Sequence, residues 1–123
     1  MPKLSNTYFA TAIVFLLIGI MIGLHMSMTH SYAPAGAHAH INLLGWVTMA
    51  LFGTYLALNP RKAEWGLARL QYYVYTAGVA IMTVSLYLLL TGHTQLEPVV
   101  AVSSLVTFAG VILFGVIIFR KAD

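Results

Sequence analysis

The chain has 123 residues, of which 60% are hydrophobic and only 7% are charged, and its formal net charge is +3. A soluble domain carries about 25% charged residues, so the composition excludes an ordinary soluble protein and predicts one integral membrane domain over residues 1–123. The absence of cysteine excludes disulfides, thiolate metal sites and iron–sulfur clusters. The basic residues are divided among three short segments, so the positive charge does not indicate a nucleic-acid partner.

Four apolar segments follow one another along the chain, and each is close to the roughly 20 residues that cross hydrocarbon as a helix. Helix is the expected state because an open sheet cannot satisfy its backbone polar groups in lipid. The predicted fold is therefore all-α, an integral membrane four-helix bundle. The predicted spans are residues 8–28, 38–58, 71–90 and 99–119.

Turn and helix-end residues separate these spans. The stretch Ala33-Pro34-Ala35-Gly36 predicts a break between the first two spans, Asn59-Pro60 the end of the second, and Pro98 the start of the fourth. The first span resembles a signal peptide, but its apolar run is longer than the usual core of about 7–15 residues, so we expect it to be retained.

The basic residues and the histidines lie at opposite ends of the predicted bundle. The loops at 29–37 and 91–98 contain no lysine or arginine. The positive-inside rule then predicts a multi-pass protein of the bacterial inner membrane, surrounded by lipid, with both termini in the cytoplasm. The basic residues are Lys3, Arg61, Lys62, Arg69, Arg120 and Lys121, and the histidines are His25, His30, His38, His40 and His93.

Two histidines open the second span. Residues two apart on a regular helix point about 200° apart, so His38 and His40 cannot both reach one metal ion from such a helix. His40 heads an apolar stripe suited to a flat porphyrin, which consists of Leu43, Leu44, Val47 and Leu51. His38 heads a stripe better suited to helix packing and hydrogen bonding, which consists of Asn42, Gly45, Trp46 and Met49.

The remaining histidines have two interpretations. His25 lies at nearly the predicted depth of His40, and a buried imidazole there costs several kcal/mol unless it is paired or used as a ligand. His30 and His93 are more typical of interfacial residues. A copper site is the alternative, because thioethers favour Cu(I); it would use Met26, Met28 and His30, together with His25 and His38.

Other catalytic motifs are absent from the sequence. The acids Glu64, Glu97 and Asp123 all lie outside the predicted spans, and there is no phosphate-binding glycine loop and no Gly-x-Ser-x-Gly. An ion pump or ion-coupled carrier would normally need a carboxylate within the membrane. Hydrolase and ion-pump functions are therefore excluded.

The second span resembles the second helix of the catalytic subunit of the heme–copper oxidase superfamily, especially that of nitric oxide reductase. The matching residues are His40-Ile-Asn42-Leu-Leu-x-Trp46, Phe52-Gly53-x-Tyr55 and Asn59-Pro60. The resemblance implies that His40 is an axial ligand of a low-spin heme b near the outer face. That subunit has about twelve spans in three four-helix arcs, so a homotrimer of this chain could imitate it, with a dimer as the alternative.

From these residues we expect a heme b-binding membrane protein that transfers electrons from a respiratory-chain donor or senses heme or a gas. His25 is the first candidate for the opposite axial ligand, followed by His93 or His38 of a neighbouring copy, and Asn42 and Trp46 are candidate cofactor contacts. Spans 3 and 4 contain no histidine, so no binuclear catalytic site is recognisable. The alternatives are a copper-handling protein and a non-catalytic accessory or assembly subunit of a respiratory complex.

Overall fold

The computed structural model describes residues 1–122, and this part of the chain is helical with no β-strand. Four helical spans are long and apolar enough to cross a membrane: Lys3–Thr29, Ala35–Leu58, Gly66–Leu90 and Thr94–Phe119. At a rise of 1.5 Å per residue these helices are about 36–40 Å long, which exceeds the roughly 30 Å of hydrocarbon. The predicted spans accordingly lie inside the observed helices.

The first span is the single helix α1 (Lys3–Thr29). The second comprises α2 (Ala35–His40), a π-helical segment (Ile41–Thr48) and α3 (Met49–Leu58). A short helix, α4 (Pro60–Ala63), leads to α5 (Gly66–Leu90), and a 3₁₀ turn (Thr94–Leu96) precedes α6 (Glu97–Phe119).

Proline and glycine mark the helix ends, with two differences from the sequence prediction. The second span ends at Leu58, before Asn59-Pro60, and Pro98 lies in the first turn of α6, as expected. The short helix α4, which Pro60 begins, was not predicted. Gly92 follows α5 with a φ of 118°, a backbone conformation that glycine adopts without steric cost. The break predicted at residues 33–36 is shorter than expected, because Pro34 is the N-cap of α2 and the helix already includes Ala35 and Gly36.

The bundle consists of two helix pairs, α1 with the second span and α5 with α6. Each of the four spans contributes one aromatic side chain to a cluster in the core, in which Phe52 contacts the other three rings. The Phe52 and Phe114 rings are stacked with centroids 4.0 Å apart, and Tyr75 meets Phe52 edge-on at 5.0 Å. Tyr8 meets Phe52 edge-on at 6.4 Å. This aromatic cluster joins the two pairs.

Buried polar side chains reinforce the same contact. The Tyr8 hydroxyl donates to the side-chain oxygen of Gln71, and the Gln71 amide nitrogen donates to the Gly110 carbonyl at 3.1 Å. Lys62 is only 6% exposed, and its ammonium donates to Tyr55 and to the Ile117 and Ile118 carbonyls, which lie at the end of α6. These bonds satisfy polar groups that would otherwise be buried without a partner.

The antiparallel arrangement places Lys3, Arg69 and Arg120 at one end of the bundle, which we call the basic end. It places His25, His40 and the other histidines at the opposite end, which we call the histidine end.

Gly110 is required for the close approach of α6 to α5. A Cβ atom at this position would lie 2.8 Å from Tyr75 Cβ and 2.9 Å from Tyr75 Cα. We predict that Gly110→Ala destabilises the protein by about 1–3 kcal/mol through overpacking, measured as a lower Tm in detergent. Gly115 is the control on the same helix, because a Cβ there meets nothing within 4 Å. Equal losses for both variants would contradict this packing.

Candidate functional site

His38 faces α1 and is held there by two glycines. Its Nδ1 lies 2.8 Å from the Gly19 carbonyl, and because a carbonyl only accepts, Nδ1 carries the hydrogen. A Cβ at Gly23 would lie 2.9 Å from the Cε1 atom of His38. The absence of a side chain at Gly23 therefore makes room for an imidazole against α1, a role that the sequence analysis missed.

Asn42 completes this packing cluster. With Nδ1 protonated, Nε2 of His38 is an acceptor, and the Asn42 amide nitrogen approaches it at 3.4 Å. The Asn42 side chain lies directly against Gly19, and Gly45 packs against Phe15 one turn later. The prediction that the His38 stripe packs between helices agrees with this geometry.

Trp46 packs against the hydrophobic core. Of the candidate cofactor contacts, Asn42 thus lies with His38, and Trp46 lies against the core.

His40 points away from α1, because it lies two residues beyond His38 in the same regular helix. Its ring is exposed, and its Nδ1 lies 2.7 Å from the Gly36 carbonyl. That carbonyl fixes the hydrogen on Nδ1 and leaves the lone pair on Nε2. Metal-bound histidines usually have the same arrangement, with the second ring nitrogen donating to a carbonyl or carboxylate.

An exposed apolar stripe continues from His40 along the second span. Leu43, Val47 and Leu51 are 60%, 42% and 62% exposed. Leu44, which the sequence analysis placed in this stripe, is instead half-buried, and its carbonyl accepts a hydrogen bond of 2.7 Å from the Tyr75 hydroxyl. The exposed apolar stripe is therefore narrower than predicted.

The π-helical segment begins directly after His40 and was not predicted. Its wider turn is visible in the hydrogen bond from Thr48 Oγ1 to the Leu43 carbonyl, five residues earlier, at 2.8 Å. It also explains the position of Leu44, since residues do not align as on a regular helix. Segments of this kind are frequent at functional sites.

The three remaining histidines, His25, His30 and His93, are exposed and do not converge on His40 within one copy. His25 belongs to α1, the helix from which His40 points away. His30 ends α1 in the left-handed conformation, and His93 Nδ1 lies 3.2 Å from the Leu88 carbonyl. Within residues 1–122, no three His, Cys, Asp or Glu side chains are close enough together to hold a metal ion.

The two candidate copper-binding methionines lie on different sides of α1. Met26 is 6% exposed and Met28 is 80% exposed. Two residues apart on a helix, they cannot face one ion. Met26 acts as an apolar filler of the core, which is the commoner role of methionine.

No known protein family, curated protein or solved structure matches this chain. The resemblance of the second span to the oxidase superfamily therefore depends on the quoted residues alone.

The structure assigns different roles to the two histidines of α2, and their alanine variants test this. We predict that His38→Ala lowers stability by about 1–3 kcal/mol, because Asn42 is left without its partner and a space opens beside Gly23. His40→Ala removes only an exposed ring and leaves Tm nearly unchanged. Thermal unfolding in detergent without added cofactor checks both, and a larger loss for His40→Ala would contradict the assignment.

Proposed function

We propose that this protein binds heme b through His40 at an interface between copies of the chain. The main support for this proposal is the hydrogen bonding and exposure of the His40 ring. Its Nδ1–H is fixed by the Gly36 carbonyl, and its Nε2 lone pair is unoccupied on an exposed apolar face. An imidazole with a free Nε2 is a standard axial ligand of heme iron.

The surroundings of His40 suit a flat apolar group better than a small hydrated ion. Leu43, Val47 and Leu51 extend from it along the helix, and none of them is charged or polar. A metal ion without a porphyrin would need three or more protein ligands near His40, whereas heme iron needs one or two. When bound, heme supplies one-electron transfer if the iron has two axial ligands, or gas binding if one position stays open.

The second axial ligand of the iron, and the apolar surface on the other side of the heme, come from a chain other than the one that supplies His40. The largely apolar cleft between α1 and α5, of about 340 Å³, is lined by residues such as Ile22, Ile41 and Tyr87 and by no histidine. A heme site on the His40 face is therefore complete only when a second chain covers it. The candidates are His40 of a second copy and then a neighbour's His25 or His93.

Homo-oligomerisation follows from this incomplete site. The pseudo-threefold arrangement of the oxidase-like subunit favours a trimer by analogy. A dimer would instead bring two His40 rings together across a twofold axis, because a twofold interface uses the same patch on both copies.

The cellular setting completes the proposal. With the basic end in the cytoplasm of a bacterial inner membrane, His40 lies near the outer face. Heme there would exchange electrons with a respiratory-chain donor on that side, or respond to heme or a gas outside the cytoplasm. The protein would then be a carrier or sensor rather than a complete reductase.

A non-catalytic accessory or assembly subunit is the competing proposal. It is favoured by one observation, that both α2 imidazoles already make hydrogen bonds within the chain. A copper-handling role using Met26, Met28 and His30 has no comparable support, since the two methionines diverge.

The absorption spectrum of the purified protein tests the heme proposal. We predict a Soret band that is lost in His40→Ala, because the axial ligand is removed, and retained in the control His30→Ala, which removes another exposed histidine at the same end of the bundle. Metal analysis accompanies the spectrum. A colourless protein with stoichiometric copper, or a Soret band that is unchanged in His40→Ala, would contradict it.

The heme content distinguishes the two sources of the second ligand. Two His40 rings sharing one heme give about one heme per two chains, and His25→Ala then leaves the spectrum unchanged. A neighbour's His25 or His93 gives one heme per chain, and removing that residue converts the iron to a five-coordinate form that binds carbon monoxide. Titration of the apoprotein with heme in detergent measures the ratio.

A further inference from the structure

A second surface with its own chemistry lies at the basic end, far from the histidines. A cleft of about 520 Å³ opens between the start of α1, the helix α4 and the start of α5. Two cationic side chains line the cleft, Lys3 from α1 and Arg69 from α5. The other lining residues are Pro2, Leu4, Thr7, Pro60, Ala63, Glu64, Tyr72 and Tyr73.

The charge of this cleft favours a single anionic group. Lys3 and Arg69 outnumber the one acid in the lining, Glu64, so the cleft has a formal charge of +1. All three side chains are exposed. An arginine donates to phosphate with a planar fork, and lysine adds a point charge.

Two tyrosines form the wall on the α5 side. Tyr72 is fixed by a hydrogen bond between its hydroxyl and Thr11, and its ring meets the Tyr73 ring edge-on with centroids 5.4 Å apart. Tyr73 is 68% exposed. Such aromatic residues are typical of the level at which lipid headgroups meet hydrocarbon. The cationic pair therefore lies at headgroup depth.

An apolar cleft continues along the same two helices. It is lined by Phe15, Ile18 and Ile22 of α1 and by Ala80, Val84 and Tyr87 of α5, among others. On α5, Arg69, Tyr73, Ala80, Val84 and Tyr87 share one face by helical spacing. The two clefts share no lining residue, but they follow one another along the same side of α1 and α5, which we call the α1–α5 seam.

We propose that this seam binds one anionic phospholipid. Its phosphodiester lies between Lys3 and Arg69, and an acyl chain lies along the apolar cleft past Phe15 and Val84. Basic pockets between membrane helices are known to bind anionic headgroups on the cytoplasmic side. The inference is independent of heme binding, because no histidine lines either cleft.

Native mass spectrometry of the detergent-purified full chain tests the headgroup part. We expect tighter binding of phosphatidylglycerol than of phosphatidylcholine with the same acyl chains. One charge near an anionic headgroup contributes about fivefold in affinity, so Arg69→Gln and Lys3→Gln should each weaken phosphatidylglycerol binding by about fivefold. Arg69→Lys retains the charge and should retain most of the binding.

The matched control is Arg61→Gln, which removes the same charge at the same end but outside the cleft. An equal loss in Arg61→Gln would overturn the proposal, because it would show a diffuse surface charge. Equal affinity for the two lipids in the unmodified protein would also overturn it. If Arg69→Gln does not fold, as judged by its Tm, Lys3→Gln decides the question.

The acyl-chain part needs a separate variant. Val84→Trp fills the apolar cleft without changing its charge, and it should lower phosphatidylglycerol binding. Leu105→Trp is the control, because Leu105 is 68% exposed on α6, away from the seam. Displacement of the lipid by millimolar inorganic phosphate, with no effect of Val84→Trp, would identify a free anion as the ligand and overturn the lipid assignment.

Discussion

The hydrogen bond from the His38 ring to the Gly19 carbonyl fixes the rotation of α2, and the candidate site depends on that rotation. With the His38 ring in the space beside Gly23 and its Nδ1 bonded to the Gly19 carbonyl, a helix of 3.6 residues per turn must direct His40 to the opposite side. One histidine thus serves the fold and the other is presented on the surface. If α2 were rotated by half a turn, the roles of these neighbouring residues would be exchanged.

The rest of the bundle is organised to hold α2 and the π-helical segment in place. Phe52, Tyr75 and Phe114 pack together in the core below them, and the Tyr75 hydroxyl donates to the Leu44 carbonyl within the π-helical segment. The Tyr75 hydroxyl thus gives a carbonyl of the widened segment a hydrogen-bond donor from another helix. The aromatic cluster therefore supports both the joining of the helix pairs and the geometry that follows His40.

Much of the fold could be predicted from the sequence, because the bilayer limits a chain of this hydropathy to helices of known length. The four spans, the separation of basic and histidine ends, and the divergence of His38 and His40 all follow from hydropathy, charge and helical spacing. The π-helical segment could not be predicted, since it depends on contacts from Tyr75 on another span. For the same reason Leu44 was wrongly placed in the exposed stripe. The use of Gly23 to accommodate the His38 ring, and of Gly19 to accommodate Asn42, likewise depends on which residues of the second span face them.

An experimental structure of the protein purified from heme-replete cells, in lipid, would show directly whether His40 binds heme iron. We predict iron bound to Nε2 of His40, with the Nδ1–H still bonded to the Gly36 carbonyl and a second chain covering the face of Leu43, Val47 and Leu51. A structure in which the His40 ring contacts only lipid or water, while heme is absent or held by other residues, would contradict it.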